Sequence, residues 1–216
     1  MDYEGYTIWL DCDKKSAIRF RYNAQRDSGS YKRAKHFKPD PRIPKYCQQS
    51  SGKSYREQGK TTQFDRGHLV PANHLDHSKK AIRESNYMTN ILPQAKFMNR
   101  GAWLLTEEIV ECYRDIDELL VLGGAWWDNS IDSRFMKSHG LPDIPDYFWK
   151  VIIRNDRIIS WWIPNRQSAT KKRLDDYLVT ADFIQEKTGL ALPIEPYLLD
   201  QKPTLSWYIP RGCNKG

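Results

Sequence analysis

The residues with the clearest chemical capability lie in two short parts of the chain. Asp65-Arg66-Gly67-His68 is followed about thirty residues later by Asn99-Arg100-Gly101-Ala102-Trp103, and then by Glu107. A histidine can take a proton from water near neutral pH, and an arginine can hold a phosphate through a forked pair of hydrogen bonds. An amide oxygen and a carboxylate suit Mg²⁺, which keeps most of its own waters. Together these groups are the parts needed to hydrolyse a phosphodiester with one hard metal ion.

The elements that carry these side chains decide how they meet. On a strand, Arg66 and His68 point to the same face, because strand side chains alternate with a period of two. Asn99 stands where a helical pattern begins, so it is either the N-cap of that helix or a metal ligand, and spacing does not separate the two roles. Glu107 is either a solvated surface acid beside Glu108 or a group that holds a water of the metal.

Three histidines offer an alternative metal centre. His68, His74 and His77 are separated by six and three residues, which fits no common zinc pattern, and no cysteine lies near them. A zinc hydrolase is therefore the weaker hypothesis.

Composition favours one domain over residues 1–216, with a core large enough to support it, since 39% of the residues are hydrophobic. The net charge of +7 favours a polyanionic partner. No apolar run approaches the length of a membrane span, so no membrane partner is expected. The acidic, polar start lacks the features of a signal peptide, so the protein is either not exported or present in a mature form.

Four cysteines, Cys12, Cys47, Cys112 and Cys213, lie far apart and form no C-x-x-C pair. They are either four unpaired thiols or two disulfides of an exported protein. The residues themselves favour neither alternative.

Apolar periodicity predicts a mixed fold. Strands are expected at residues 6–10, 17–22, 87–92, 119–122, 147–153, 158–163 and 174–179. Helices are expected at residues 78–86 with Ser78 as the cap, at 99–117, and between Thr180 and Gly189. Residues 23–63 form a long polar segment without clear periodicity. Strands dominate with helices inserted between them, which favours an α+β fold with a mainly antiparallel central sheet.

Several motifs in this order resemble a known family. They are Phe64-Asp65-Arg66-Gly67-His68-Leu69-Val70-Pro71-Ala72-Asn73, Asn90-Ile91-Leu92-Pro93-Gln94, Asn99-Arg100-Gly101-Ala102-Trp103 with Glu107, Pro145-Asp146-Tyr147-Phe148-Trp149-Lys150-Val151, and Thr188-Gly189-Leu190. The series, from about residue 60 to 190, is similar to the DNA/RNA non-specific endonucleases, which include secreted bacterial nucleases and a mitochondrial endonuclease. The resemblance implies the ββα-metal nuclease core.

The resemblance also implies roles for three residues. His68 would be the general base that deprotonates the attacking water. Asn99 would be the direct protein ligand of Mg²⁺, for which Mn²⁺ is a substitute, and Glu107 would bind the metal through a coordinated water.

Further residues of the expected site follow from the same resemblance. Arg66 would steady the phosphate, Asn86 and Asn90 would shape the surroundings of the base, and Arg33 is the candidate for an upstream arginine. Some members carry another arginine one helical turn after the glutamate, where this chain has Glu111.

The resulting hypothesis is a Mg²⁺-dependent endonuclease that cuts DNA and RNA with little sequence preference. The alternative is a catalytically inactive nucleic-acid-binding module. Relatives of this kind are often homodimers, and an extracellular or periplasmic location is expected. In that setting Cys12–Cys47 with Cys112–Cys213 is one of three disulfide pairings.

Overall fold

A seven-stranded sheet with every neighbouring pair antiparallel lies at the centre of the fold, in the order β1-β2-β3-β6-β7-β8-β9. The computed structural model describes residues 1–55, 63–128 and 136–215. The strands are β1 (Asp2–Tyr3), β2 (Tyr6–Asp11), β3 (Ser16–Ala24), β4 (Phe64–His68), β5 (Ile91–Ala95), β6 (Leu119–Trp126), β7 (Tyr147–Arg154), β8 (Arg157–Pro164) and β9 (Leu178–Val179). β4 and β5 pair separately as a two-stranded antiparallel ribbon.

Five α-helices in the described residues complete the framework: α1 (Lys79–Ser85), α2 (Lys96–Met98), α3 (Leu104–Arg114), α4 (Ala181–Thr188) and α5 (Pro196–Leu199). A π turn, Asn99–Trp103, joins α2 to α3. Short 3₁₀ turns lie at Lys45–Cys47, Ala72–Leu75, Met88–Asn90, Lys137–His139 and Lys171–Tyr177. In the described residues, no helix has both the length and the apolar character that crossing a bilayer requires. The predicted α+β class with a mainly antiparallel sheet is confirmed.

The sheet is apolar on both faces. In β6, Leu119 and Val121 join the larger core cluster, whereas Leu120 and Leu122 face a second cluster that includes Ile184 of α4. This alternation is the strand period of two applied to a sheet covered on both sides. α3 contacts β3 and β6 on the first face, so this helix packs directly on the central strands of the sheet.

Several element predictions are confirmed. The Ser78 side chain accepts hydrogen bonds from the first turn of α1, and Thr180 caps α4 in the same way. α4 ends at Gly189, whose φ of +67° is the left-handed conformation that glycine adopts readily. The β7–β8 hairpin turns at Asn155, also at positive φ. The segment predicted to be irregular, residues 23–63, carries strand only at Asn23 and Ala24 within its described part; residues 56–62 lie outside the described residues.

Four element predictions need correction in their extent. The strand expected at 87–92 begins only at Ile91, because the Asn90 side chain bonds the backbone of Val70 and Ser85 and holds a 3₁₀ turn before it. The helix expected at 99–117 is instead a π turn at Asn99–Trp103 followed by α3, which ends at Arg114.

The other two corrections concern strands. The strand expected at 119–122 continues to Trp126, because Gly123 lets the Phe20 ring pack where a Cβ would clash. The strand expected at 174–179 is mostly a 3₁₀ turn, in which Leu174 and Tyr177, three residues apart, both point inward.

Two disulfides join distant parts of the chain, Cys12 to Cys47 and Cys112 to Cys213. This is the pairing named among the three alternatives. Cys112 lies on α3, so the second bridge ties the end of the described chain to the helix that carries Glu107.

Candidate active site

The ribbon of β4 and β5 presents the two central side chains of the site. Arg66 and His68 lie two residues apart on β4, and both line the same cavity, as the strand period predicts. Gly67 lies between them, and a Cβ there would clash with the Gln94 side chain of β5. The carbonyl of His68 accepts hydrogen bonds from Trp103 Nε1 at 3.1 Å and Gln94 Nε2 at 3.4 Å. The backbone of His68 is therefore held from two sides.

The hydrogen bonds of the His68 ring define its tautomer. His68 Nδ1 lies 3.2 Å from Arg33 Nη2, and a guanidinium can only donate, so Nδ1 accepts. His68 Nε2 therefore carries the proton and donates it to Asn86 Oδ1 at 2.9 Å. The orientation of the Asn86 amide is set independently, because its Nδ2 donates to the carbonyl of Ala34 at 2.7 Å.

His68 is only 5% exposed. Burial, assisted by the positive charge of Arg33, lowers the pKa of His68 to about 3. The imidazole is therefore neutral near pH 7, and its lone pair at Nδ1 is the basic atom in the cavity.

Asn99 lies in the same cavity, but its backbone is already helical, with φ −57° and ψ −46°. It is therefore not the N-cap of a helix, since an N-cap has non-helical angles. Its Nδ2 donates to Asp65 at 3.2 Å, and Arg100 holds the same carboxylate through two hydrogen bonds of 2.7 and 2.9 Å. With Nδ2 engaged, Oδ1 of Asn99 is the atom available to a cation.

Glu107 lines the cavity from α3, beyond the π turn. The enclosing protein raises the pKa of Glu107 by desolvation to about 7, while Lys150 and Arg33 act against this rise. A nearby cation, which favours the charged carboxylate, would lower this pKa again. With a pKa of about 7, the carboxyl group of Glu107 exists in both protonation states near neutral pH.

Lys150 is a component that sequence reasoning missed. It is fully buried on β7, where Nζ donates to Thr106 Oγ1 at 2.7 Å and lies 3.8 Å from the centre of the Trp103 ring. Burial lowers the pKa of Lys150 to about 8, and the charge of Glu107 opposes that change. The available signal was a lysine inside an otherwise apolar strand, between Trp149 and Val151.

Two arginines border the cavity. Arg66 donates to the carbonyl of Gly52 at 2.7 Å, and its guanidinium lies 4.1 Å from the centre of the Phe37 ring. Arg33 reaches the cavity from the irregular segment after β3 and touches His68 directly. These positions give two forked hydrogen-bond donors on the same side of the cavity as His68, which suits a phosphate.

The cavity has a volume of about 370 Å³, and a second one of about 570 Å³ adjoins it. Four residues line both, which makes the two cavities parts of one groove: Arg33, Arg66, His68 and Asn99. A groove with the reactive side chains at its middle suits a linear polymer that extends in both directions.

Asn90 is brought near the site without lining it. It is fully buried, and its side chain bonds both the N–H and the carbonyl of Val70, two residues after His68. Its contribution is to hold the backbone that follows His68.

Glu111 takes no part in the cavity. It accepts hydrogen bonds from Arg114 at 2.7 Å and Asn73 at 3.1 Å, and lies 3.2 Å from His74. His74 also contacts Tyr22 at 2.8 Å. Among the described residues, no group of three or more histidine, cysteine, aspartate or glutamate side chains could hold a metal ion, so the geometry does not support the zinc centre.

The donors in the cavity do fit a different type of ion. Asn99 supplies an amide oxygen and Glu107 a carboxylate, and both residues line the same cavity. Few oxygen ligands from the protein are what a hard, largely hydrated cation such as Mg²⁺ accepts.

Comparison with known proteins agrees with this geometry. The sequence profile described as DNA/RNA non-specific endonuclease matches residues 1–196, and the chain belongs to that family. The family indicated by the motif series is thereby confirmed.

Individual relatives are distant. The chain is 26% identical to the human mitochondrial nuclease EXOG over 71% of its own length and 45% of the relative's. It is 25% identical to the nuclease of Serratia marcescens over 87% of its length and 72% of the relative's. The chain therefore spans about half the length of some mitochondrial relatives it matches.

A solved structure shows the same fold. The structure described as the EndoG/EndoGI complex superposes with a TM-score of 0.78 at 20% identity, covering 92% of this chain and 88% of the other. At that identity the likeness concerns the fold alone.

Proposed function

We propose that this chain is a Mg²⁺-dependent endonuclease that hydrolyses phosphodiester bonds of DNA and RNA with little sequence preference, and that residues 1–216 act as a single nuclease domain. The observation that carries the proposal is the neutral His68, whose basic Nδ1 opens on the cavity that also holds Asn99 and Glu107. One groove thus holds a base, two arginines that can donate hydrogen bonds to a phosphate, and oxygen atoms that can bind a cation. These are the groups that metal-assisted hydrolysis of a phosphodiester needs.

In this proposal His68 Nδ1 takes the proton of the attacking water. The Nε2–H bond to Asn86 remains intact throughout and stabilises the imidazolium that forms. Arg33 leaves Nδ1 to engage the phosphate together with Arg66. The negative phosphate offsets the two arginines, so the pKa of His68 rises and the base becomes effective when substrate is present.

Asn99 and Glu107 would hold Mg²⁺, which supplies charge stabilisation for the scissile phosphate and the leaving oxygen. The buried Lys150 favours the ionised form of Glu107, which the cation site needs. No step uses a 2′-hydroxyl group, so DNA and RNA are both substrates. Contacts to the backbone instead of to base edges explain the weak sequence preference.

The test is incubation of supercoiled plasmid and of structured RNA with the protein and Mg²⁺. We expect nicking of the plasmid and cleavage of the RNA, and both stop with chelator or in the His68→Ala variant. A protein that binds both polymers regardless of chelator and cuts neither is the inactive binding module. The intact set of His68, Asn99 and Glu107 favours the enzyme over this alternative.

The location and assembly belong to the same proposal. Two disulfides favour an oxidising compartment, so we place the protein outside the cytoplasm, in the extracellular or periplasmic space. Titration of the native protein with a thiol reagent should find no free thiol. A homodimer is the assembly that the resemblance implies, and light scattering on the eluting protein tests it.

A further inference from the structure

Residues 200–215, here called the return segment, lie beyond the part of the chain that matches the family profile. They run back across the sheet side that carries α3. Ser206 Oγ accepts a hydrogen bond from Trp161 Nε1 at 3.1 Å, and its N–H donates to Asp175 at 2.8 Å. Trp207 is buried against Tyr113 of α3, with ring centres 5.1 Å apart. The return segment is therefore anchored before it reaches Cys213.

The disulfide between Cys213 and Cys112 then fixes the end of the return segment beside α3. Two residues later, Lys215 lines the 370 Å³ cavity together with His68, Asn99 and Glu107. The disulfide thus brings the positively charged side chain of Lys215, from beyond the part of the chain that matches the family profile, to the edge of the catalytic groove.

The local contacts of Lys215 do not account for its position. Its Nζ lies 3.6 Å from Glu108 Oε2, longer than a hydrogen bond, and 48% of its side chain is exposed. Glu108 already accepts a hydrogen bond of 2.6 Å from Lys171 through its other oxygen. An exposed ion pair of this length contributes little to stability, so the ammonium can exchange it for a stronger anion.

We infer that Lys215 binds a backbone phosphate of the nucleic acid, next to the phosphate that Arg33 and Arg66 hold, and that the Cys112–Cys213 disulfide keeps it there. This inference rests on the proposed function. A lysine suits this role because it acts as a mobile point charge toward a phosphate, without needing the fixed fork of an arginine. The disulfide makes the return segment part of the substrate site.

The experiment measures binding without cleavage, so it remains informative if the proposed catalysis fails. Protein carrying His68→Ala is titrated against a fluorescein-labelled oligonucleotide duplex in chelator at several salt concentrations. We expect Lys215→Gln in this background to weaken binding about three- to tenfold at low salt and to reduce the slope of log affinity against log salt by about one.

Lys202→Gln is the matched control, because Lys202 is an exposed lysine of the same return segment that does not line the cavity. It should bind like the parent protein. Equal affinity and equal salt slope for the two lysine variants would overturn the role of Lys215. A loss confined to Lys215→Gln supports it.

The tether is tested with the double variant Cys112→Ser and Cys213→Ser, after thermal unfolding has shown that it is folded at the assay temperature. We expect the same loss of affinity as for Lys215→Gln, and no further loss when the two changes are combined. If the folded double variant binds with the affinity of the parent protein, the disulfide is not needed to hold Lys215 in place. The role of Lys215 itself is then decided by the comparison of Lys215→Gln with Lys202→Gln. Cleavage by the wild-type protein in Mg²⁺ is recorded separately, so a failure of the proposed function is recognised as such.

Discussion

Asn86 Oδ1 accepts the Nε2 proton of His68 over 2.9 Å, and this hydrogen bond, together with the donor Arg33 at Nδ1, determines which ring nitrogen can act as a base. Asn86 closes the C-terminal end of α1, and its Nδ2 is tied to the carbonyl of Ala34. The tautomer of His68 is therefore set by two elements distant from β4. Without Asn86, only Arg33 would keep the proton on Nε2. Once Arg33 turns to the phosphate, as proposed, the proton can move to Nδ1, and the ring then presents a donor to the cavity instead of an acceptor.

Changing Asn86 should affect turnover more than substrate binding. Asn86→Ala removes the acceptor for Nε2–H, and we expect kcat to fall about a hundredfold or more, which is the range for loss of a positioned general base. KM should change little, because Arg33 and Arg66 remain. Steady-state kinetics on an oligonucleotide substrate measure both constants.

Asn86→Asp provides the matched comparison. A carboxylate at this position favours the imidazolium, so the pKa of His68 rises and the acid limb of the kcat profile moves to higher pH. An unchanged limb in this variant would show that the bond to Asn86 does not control the base.

The pH dependence of the metal requirement should report Glu107. Because its pKa is raised to about 7, the carboxyl group becomes protonated as the pH falls below 7, and its affinity for a cation is lost. The half-saturating Mg²⁺ concentration should therefore rise on acidification, approaching about tenfold per pH unit. Activity measured against Mg²⁺ concentration on both sides of pH 7 tests this.

Glu107→Gln is the control for that titration. It should need more Mg²⁺ at every pH, with a requirement that no longer varies with pH across this range. A wild-type requirement that stays constant on acidification would contradict the assignment.

Lys150 should affect the pKa of Glu107 more than the stability of the fold. Lys150→Met keeps most of the volume, and Thr106 Oγ1 retains its hydrogen bond to the carbonyl of Trp103 at 2.7 Å. The lowered pKa of Lys150 shows that burial of its charge already has a desolvation cost in the folded protein, so we expect an apolar group of similar size to change stability by about 1 kcal/mol or less. The pKa of Glu107 should rise further, because Lys150 lowers it in the wild type.

We thus expect Lys150→Met to give a stable protein whose activity, on acidification, begins to fall at a higher pH than that of the wild type. Lys150→Ala, which leaves a cavity, should cost about 2–4 kcal/mol. Thermal unfolding and the pH profile of activity separate the two effects. A large stability loss in the methionine variant would assign Lys150 a structural role instead.

Acid should destabilise the folded protein partly through His68. The unfolded chain protonates this histidine below about pH 6.5, whereas the folded protein does so only near pH 3. The unfolded state binds more protons in this window, so stability falls as the pH drops through it, by at most about 1.4 kcal/mol per pH unit from this group. Urea unfolding at pH 7 and pH 5 measures the slope, and the slope of His68→Gln should be shallower.

The sequence predicted which side chains lie together in the cavity more completely than it predicted the elements around them. Arg66 and His68 lie on one strand face because the period of two is a local rule. The π turn at Asn99–Trp103 was missed, because it depends on a distant segment: a Cβ at Gly101 would lie 3.0 Å from the carbonyl oxygen of Ala169. Such long-range packing is not encoded in helical periodicity.

Long-range packing also explains why the sequence alone does not predict the role of Lys150. Its hydrogen-bond partner Thr106 is 44 residues away, so only the assembled sheet and α3 reveal why a lysine is tolerated in an apolar strand. Helical periodicity places Asn99 at the start of a helix and allows the N-cap role, because it does not predict the π turn. The chemistry of its amide could be predicted, but not the helical backbone angles that exclude the cap.

The two disulfides should differ in both stability and function. Cys12–Cys47 spans 35 residues and Cys112–Cys213 spans 101, so chain entropy predicts losses of about 4 and about 5 kcal/mol when each pair is replaced by serine. The second pair should therefore lower Tm more, as measured by calorimetry. Because Cys12–Cys47 lies outside the catalytic cavity, its removal should leave nucleic-acid affinity unchanged, whereas removal of Cys112–Cys213 should weaken it by releasing Lys215. Equal losses of affinity in the two folded variants would mean that the disulfides act through general stability and that the return segment has no special part in binding.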